Sequence, residues 1–142
     1  MAAGRKCRIY ADIVGDLFHH GHVNLLRRAR ALGDVLVVGV CGDDLVASYK
    51  RPPVMTLQER VAVVSGCRYV DEVVPNCPCP VTEAFLREHH IDVVVHGDDF
   101  DDAQIRRWYA VPMEMGILRT VPYTPEISTT DLIRRILDRD DP

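Results

Sequence analysis

Residues 35–41 read Val35-Leu36-Val37-Val38-Gly39-Val40-Cys41, an apolar run rich in β-branched side chains with no polar interruption. A strand of that pattern is buried on both faces, as in a parallel sheet covered by helices on each side. Upstream, Arg8 to Ile13 has strand character, and Val23, Leu26, Ala29 and Leu32 recur at helical spacing before Gly33, a natural C′ residue. The first unit is therefore βαβ. Downstream, Thr56-Leu57-Gln58-Glu59 is a capping box that predicts a helix to about Cys67, and Tyr69 to Val74 reads as a third strand. Thr82 opens a helix to about His90, Ile91 to His96 is a fourth strand, Ile117 to Pro122 a fifth, and a last helix starts near Ser128. Strands alternating with helices predict an α/β fold, a Rossmann-like doubly wound parallel sheet of about five strands, with residues 1–142 as one domain. Such sheets hold ligands at the carboxyl ends of the strands, where strand order switches.

Apolar residues make up 47% of the 142 and charged residues 27%, which are globular proportions and exclude a disordered chain. The longest apolar run, Val35 to Val40, falls far short of the ~20 residues of a membrane helix, and the basic start lacks a signal-peptide core. The expectation is a soluble, cytoplasmic protein with no membrane segment. Lys plus Arg number 17 against 21 Asp plus Glu, a net charge of -4 that argues against nucleic acid as a partner. A small anionic ligand needs only a local positive site. The five cysteines, Cys7, Cys41, Cys67, Cys77 and Cys79, are odd in number and lack CxxC spacing, so they read as reduced thiols and fit neither a disulfide framework nor a zinc ribbon.

Asp16-Leu17-Phe18-His19-His20-Gly21-His22 falls where the first strand hands over to the first helix. Gly21 lets backbone approach a ligand closely, and the helix start turns its free N–H groups and positive dipole end toward any phosphate held there. Histidines at a helix start also serve as plain caps, but three of the six histidines lie within these four residues. Ser128-Thr129-Thr130-Asp131 opens the last helix in the same way, with Asp131 placed to complete a capping box. Lys50 is one of two lysines, in a Pro-flanked loop after the second strand, and a compact point charge of that kind suits a phosphate clamp. Trp108 and Tyr109 fit either the core or an aromatic cage for a quaternary ammonium.

His19-His20-Gly21-His22 resembles the HxGH signature of the cytidylyltransferase branch of the nucleotidyltransferases. Lys50-Arg51-Pro52-Pro53, Arg68-Tyr69-Val70-Asp71-Glu72-Val73, His96-Gly97-Asp98-Asp99 and Ile127-Ser128-Thr129-Thr130 resemble, in the same order, that family's lysine loop, RYVDEV strand, GDD turn and ISTT segment. The resemblance covers nearly the whole chain. It implies transfer from CTP, with Mg²⁺, to a phosphate monoester such as ethanolamine phosphate, choline phosphate or glycerol 3-phosphate, with release of pyrophosphate. By resemblance, His19, His22 and Lys50 are catalytic. Gly21, Asp98, Ile127, Ser128, Thr129, Thr130 and Arg119 fall to the nucleotide, and Asp16, Arg68 and Asp99 to the acceptor or its phosphate. No protein metal ligand is assigned. A homodimer is implied, with the HxGH turn and the RYVDEV strand at its interface.

Two segments depart from the family pattern. Tyr123-Thr124 stands where Arg-Thr is common, which removes a cationic phosphate ligand for which Arg119 is the candidate substitute, and Glu126 replaces a glycine beside the expected triphosphate. Ile13-Val14-Gly15-Asp16 replaces Gly-x-Phe-Asp before the HxGH turn. Tyr-Thr at 123–124 is similar to cytidylyltransferase domains that accompany phosphonate-making enzymes, so a phosphonate is a candidate acceptor. Three rival functions stand beside the transferase: a same-fold adenylyltransferase, a non-catalytic nucleotide-binding module, and a metal hydrolase built on His19, His22, His96 and Asp98.

Overall fold

The computed structural model describes residues 4–49 and 51–140. Its elements run β1 (Arg8–Ile13), α1 (His20–Arg30), β2 (Val35–Val40), α2 (Asp43–Tyr49), α3 (Leu57–Ser65), β3 (Glu72–Pro75), α4 (Glu83–Glu88), β4 (Val93–Gly97), α5 (Asp102–Trp108), α6 (Ala110–Glu114), β5 (Leu118–Val121) and α7 (Thr129–Leu137). The five strands form one parallel sheet in the order β3-β2-β1-β4-β5. Chain direction across the sheet reverses between β1 and β4, which makes their carboxyl ends the switch point.

The alternation within β1 sorts the core. Ile9, Ala11 and Ile13 pack with Leu26 and Ala29 of α1 and Val64 of α3, whereas Tyr10 faces Phe85 and Leu86 of α4 across the other side. Leu26 is wholly buried, and that burial contributes ~2 kcal/mol to seating α1. Among the described residues no helix is long and apolar enough to cross a membrane.

Three local readings change. The third strand starts at Glu72, not Tyr69, because Asp71 is used in bridging to β2: its N–H donates to the Leu36 carbonyl and its carboxylate accepts from the Leu36 N–H at 2.8 Å. Gly33 is not a left-handed cap. The α1 C-cap is Ala31, and Gly33 serves close approach, since a Cβ there would lie 2.7 Å from Ile9 Cδ1 and 3.0 Å from the Cys7 carbonyl. Helices α2, α5 and α6 also occupy stretches for which the sequence reading predicts no element.

Arg60 of α3 is wholly buried and binds the ends of three segments together. It donates to the carbonyls of Val14 and Cys41, both at 2.7 Å, and of Met55 at 3.2 Å, and pairs with the Asp43 carboxylate. These bonds fix the chain as it leaves β1 and β2, at the edge of the sheet where the cleft lies.

Candidate active site

A cleft of about 1050 Å³ lies over the carboxyl ends of β1 and β4, bounded by the starts of α1 and α7. The HxGH residues form its α1 rim. His19 is the N-cap, and its Nδ1 accepts from the Gly21 N–H at 3.0 Å; the Nδ1 of His22 accepts from the His19 N–H at 3.0 Å. A neutral imidazole that accepts at Nδ1 carries its proton on Nε2, so capping fixes both rings as Nε2 donors. The ring centroids lie 3.9 Å apart, and His22 stacks on Phe18 at 5.2 Å. Gly21 is required here, since a Cβ would meet His19 Nδ1 at 2.9 Å and Ile127 Cγ2 at 3.2 Å.

Burial, with His20 adjacent, holds the His19 pKa below its usual 6.5. A pKa lower in the folded state than in the unfolded one gives a contribution present above about pH 6.5 and lost as pH falls through the folded value. The melting temperature is therefore expected to fall on acidification from pH 7 to 5.5, and less steeply in His19→Asn, whose amide caps without titrating. An equally steep fall in the variant contradicts the cap assignment.

The α7 rim is built by Ser128, whose hydroxyl oxygen accepts from the Asp131 N–H at 3.0 Å. The expected reciprocal bond is replaced by an ion pair, the Asp131 carboxylate lying 3.5 Å from Arg134. Thr129 donates to the Asp16 carbonyl at 2.8 Å, and Thr130 Oγ1 accepts from Arg51 at 3.2 Å. Ile127, Ser128, Thr129 and Thr130 all line the cleft, as do His19, Gly21 and His22, and Ile127 packs beside Gly21.

Asp16 lines the cleft but its carboxylate is engaged with the protein itself: its two oxygens accept from the Val54 and Met55 N–H groups, each at 2.9 Å. It anchors the loop that follows Lys50. Lys50 lies outside the described residues. Asp16→Asn keeps the shape but turns an amide donor toward one of those N–H groups. It is expected to cost about 1–3 kcal/mol in a thermal melt and to weaken nucleotide binding through the loosened loop; unchanged stability contradicts the anchor.

The remaining sequence candidates separate. Asp99 lines the cleft. Asp98 accepts from the Tyr123 N–H at 3.1 Å and lies outside the lining. Arg119 is exposed and donates to the carbonyls of Gly116 and Leu118, away from the cleft, so it does not take the place of the cation absent at Tyr123. Arg51, on the cleft beside Thr130, supplies a cation there, and Arg107 lines the same cleft with its guanidinium 4.5 Å from the Trp108 ring. Glu126 is exposed and outside the lining. Arg68 lines a separate apolar hollow with Phe18, Val23, Val63 and Tyr69.

The inner wall holds Asp12, to which the sequence reading assigns no role, together with His96 and Tyr109. Asp12, the acidic residue of β1, accepts from the Tyr109 hydroxyl; burial pushes its carboxyl up to about 6 against the lowering pull of the Tyr109 and Cys79 bonds. His96 stacks on Tyr109 at 4.8 Å, and its Nδ1 lies 2.6 Å from the Gly97 carbonyl. A carbonyl only accepts, so the His96 proton sits on Nδ1 and leaves Nε2 a buried acceptor without a partner. The signal for Asp12 is a lone carboxylate at the carboxyl end of an otherwise apolar strand stretch, Ile9 to Ile13.

A parallel sheet whose switch point is bordered by two helix N-termini and a pair of Nε2-donor histidines defines an α/β domain of the nucleotide-binding type of fold. A family model described as cytidylyltransferase-like matches residues 16–135, and the chain belongs to that family. It is 45% identical over 136 residues to an ethanolamine-phosphate cytidylyltransferase of Dictyostelium discoideum, the match covering 92% of this chain and 38% of that protein. It is 43% identical over 136 residues to choline-phosphate cytidylyltransferase A of Homo sapiens, covering 94% of this chain and 37% of that protein. The chain thus spans under two fifths of the length of these relatives. Among solved structures, the lipopolysaccharide core biosynthesis protein of Thermoplasma volcanium GSS1 superposes with a TM-score of 0.64 at 25% identity, covering 84% of this chain and 98% of that one.

Proposed function

We propose that the domain transfers a cytidylyl group from CTP to a small phosphate monoester or phosphonate, ethanolamine phosphate being the leading acceptor. The observation that carries this reading is the pair of capping histidines and the adjoining α7 N-terminus, which line one cleft together. An acceptor oxygen attacks the α-phosphorus in line; the new P–O bond forms as the α–β bridging bond breaks, and its electron pair leaves on pyrophosphate. A phosphate oxygen is anionic near neutral pH, so no base is needed and the protein contributes position and charge stabilisation. His19 and His22 donate from Nε2 to the α-phosphate and bridging oxygens. Ser128, the α7 N–H groups and Arg51 hold the β and γ phosphates, and Lys50 joins them by resemblance alone. CTP enters as its magnesium complex; an ion that keeps most of its waters suits the exposed carboxylates of Asp99 and Asp101 on the rim.

Asp12 and the unpartnered Nε2 of His96 give the inner wall two acceptors for the ammonium end of an amino-alkyl acceptor. This favours ethanolamine phosphate or 2-aminoethylphosphonate over glycerol 3-phosphate. The hydrolase alternative has less support, because Asp98 lies off the cleft and the Nδ1 atoms of His19 and His22 serve backbone N–H groups. A homodimer belongs to the same reading, with the apolar hollow beside Phe18 and Tyr69 as the contact. Mass spectrometry of mixtures containing Mg²⁺, CTP or ATP, and ethanolamine phosphate, choline phosphate, glycerol 3-phosphate, 2-aminoethylphosphonate or 2-hydroxyethylphosphonate tests the assignment. A cytidylyl adduct of an amino-bearing acceptor is expected; an adenylyl adduct would make the domain an adenylyltransferase.

A further inference from the structure

Cys41, just past β2, and Cys77 and Cys79, just past β3, are distant in sequence but meet because β2 and β3 are neighbours in parallel register, Val40 opposite Pro75. Their three Sγ atoms all lie within 4.8 Å of one another, Cys41 to Cys79 at 3.6 Å and Cys77 to Cys79 at 3.9 Å. Three thiolates held at ~2.3 Å around a tetrahedral ion are ~3.8 Å apart, so the sulfurs stand close to the edge length of such a site. Asp12 Oδ2 is 3.6 Å from Cys79 Sγ, and Cys41, Cys79 and Asp12 border the cleft, which leaves a fourth position facing solvent.

Two features mark this as more than packed thiols. The Tyr10 hydroxyl is buried with no partner but the nearby Cys77 thiol, and it and Cys77 Sγ both crowd Gly39, lying 2.1 and 2.8 Å from where a Cβ would stand there. A thiol offers that hydroxyl a weak acceptor, whereas a metal-bound thiolate is the charged acceptor that second-shell donors pair with. In addition, the Asp12 carboxylate meets a tyrosine hydroxyl and a thiol in its side-chain hydrogen bonds, and no cation pairs with it among the described residues. Such a carboxylate at the inner wall of the cleft, held partly out of water, is costly to charge, and a divalent ion beside it offsets that cost.

We propose that Cys41, Cys77 and Cys79 form a thiolate site for a soft divalent cation of the zinc type, tying the end of β2 to the loop after β3 on the acceptor side of the cleft. Binding displaces three thiol protons, one from each sulfur. The site adjoins the acceptor wall through Asp12, and its test reads metal binding rather than transfer, so failure of one reading leaves the other standing.

Cobalt(II) titration of the reduced full chain tests it, because thiolate-to-cobalt charge-transfer bands count sulfur ligands. One cobalt per chain with three-thiolate intensity is expected, displaced by zinc, and unchanged in Cys67→Ser. Cys41→Ser, Cys77→Ser and Cys79→Ser should lose the band. Tyr10→Phe removes only a hydroxyl whose one neighbouring acceptor is a weak thiol, so the metal-free protein keeps or gains stability while cobalt affinity falls ~10-fold. The wild-type intensity decides the matter even where a cysteine variant fails to fold. Absence of a thiolate band in reduced wild-type protein overturns the proposal, as does a band that survives the cluster substitutions. Joining of Cys41 to Cys79 by mild oxidant, with no metal bound beforehand, would instead make the cluster a redox pair and equally overturn it.

Discussion

Replacing His22 by alanine is expected to lower turnover about 10²–10³-fold, the usual loss when one preorganised donor to developing charge is removed. The same substitution deletes half of the α1 cap, the bond from the His19 N–H, so stability should fall by about 1 kcal/mol and no more. The two effects are separable. Steady-state kinetics beside a thermal melt should show a catalytic defect far larger than the fraction unfolded explains. Retention of more than a tenth of the activity would remove His22 from the reacting phosphates. His22→Gln is also informative, since an amide can cap or donate but does not reproduce the ring stacked on Phe18.

The second large effect is on stability. Arg60→Met removes at once the donor to the buried carbonyl of Cys41 and to the half-buried carbonyls of Val14 and Met55, and about 2–4 kcal/mol is expected, most of it from the acceptor left without water at Cys41. Asp43 is half exposed and recovers water, so it adds little. Urea unfolding should show the midpoint falling with the slope unchanged. A loss under 1 kcal/mol would mean that water or a neighbour replaces the guanidinium.

The sheet was legible because β-branched runs and helical spacing are local signals, and parallel pairing followed from the alternation of strands with helices, whereas the order of the strands did not. The HxGH cap was legible for the same reason: donor and acceptor lie within four residues. Short helices were harder. Asp101 and Gln104 form a complete capping box at α5, with Gln104 N–H to Asp101 at 2.8 Å, yet the acidic run from Asp98 to Asp102 reads equally as a ligand turn. Arg60 shares the core spacing of Leu57 and Val64 in α3, but composition alone marks an arginine as exposed, and only the three carbonyls that converge on it explain its burial. The cysteine cluster and the inner wall depend on which strands become neighbours. No spacing rule joins Cys41 to Cys79, or Asp12 to Tyr109, until β1, β2 and β3 lie side by side. Asp16 shows the remaining limit. Its place beside the HxGH turn suggested a ligand contact, and its two oxygens hold loop backbone instead.

The most direct test is pyrophosphate release by the purified chain with Mg²⁺, CTP and ethanolamine phosphate, each also omitted in turn. Cytidylyl transfer predicts release only when nucleotide and acceptor are both present, matched one for one by the cytidylyl-linked product. Calorimetric binding of CTP with no release for any acceptor in the panel would contradict it, and the domain would then be a nucleotide-binding module.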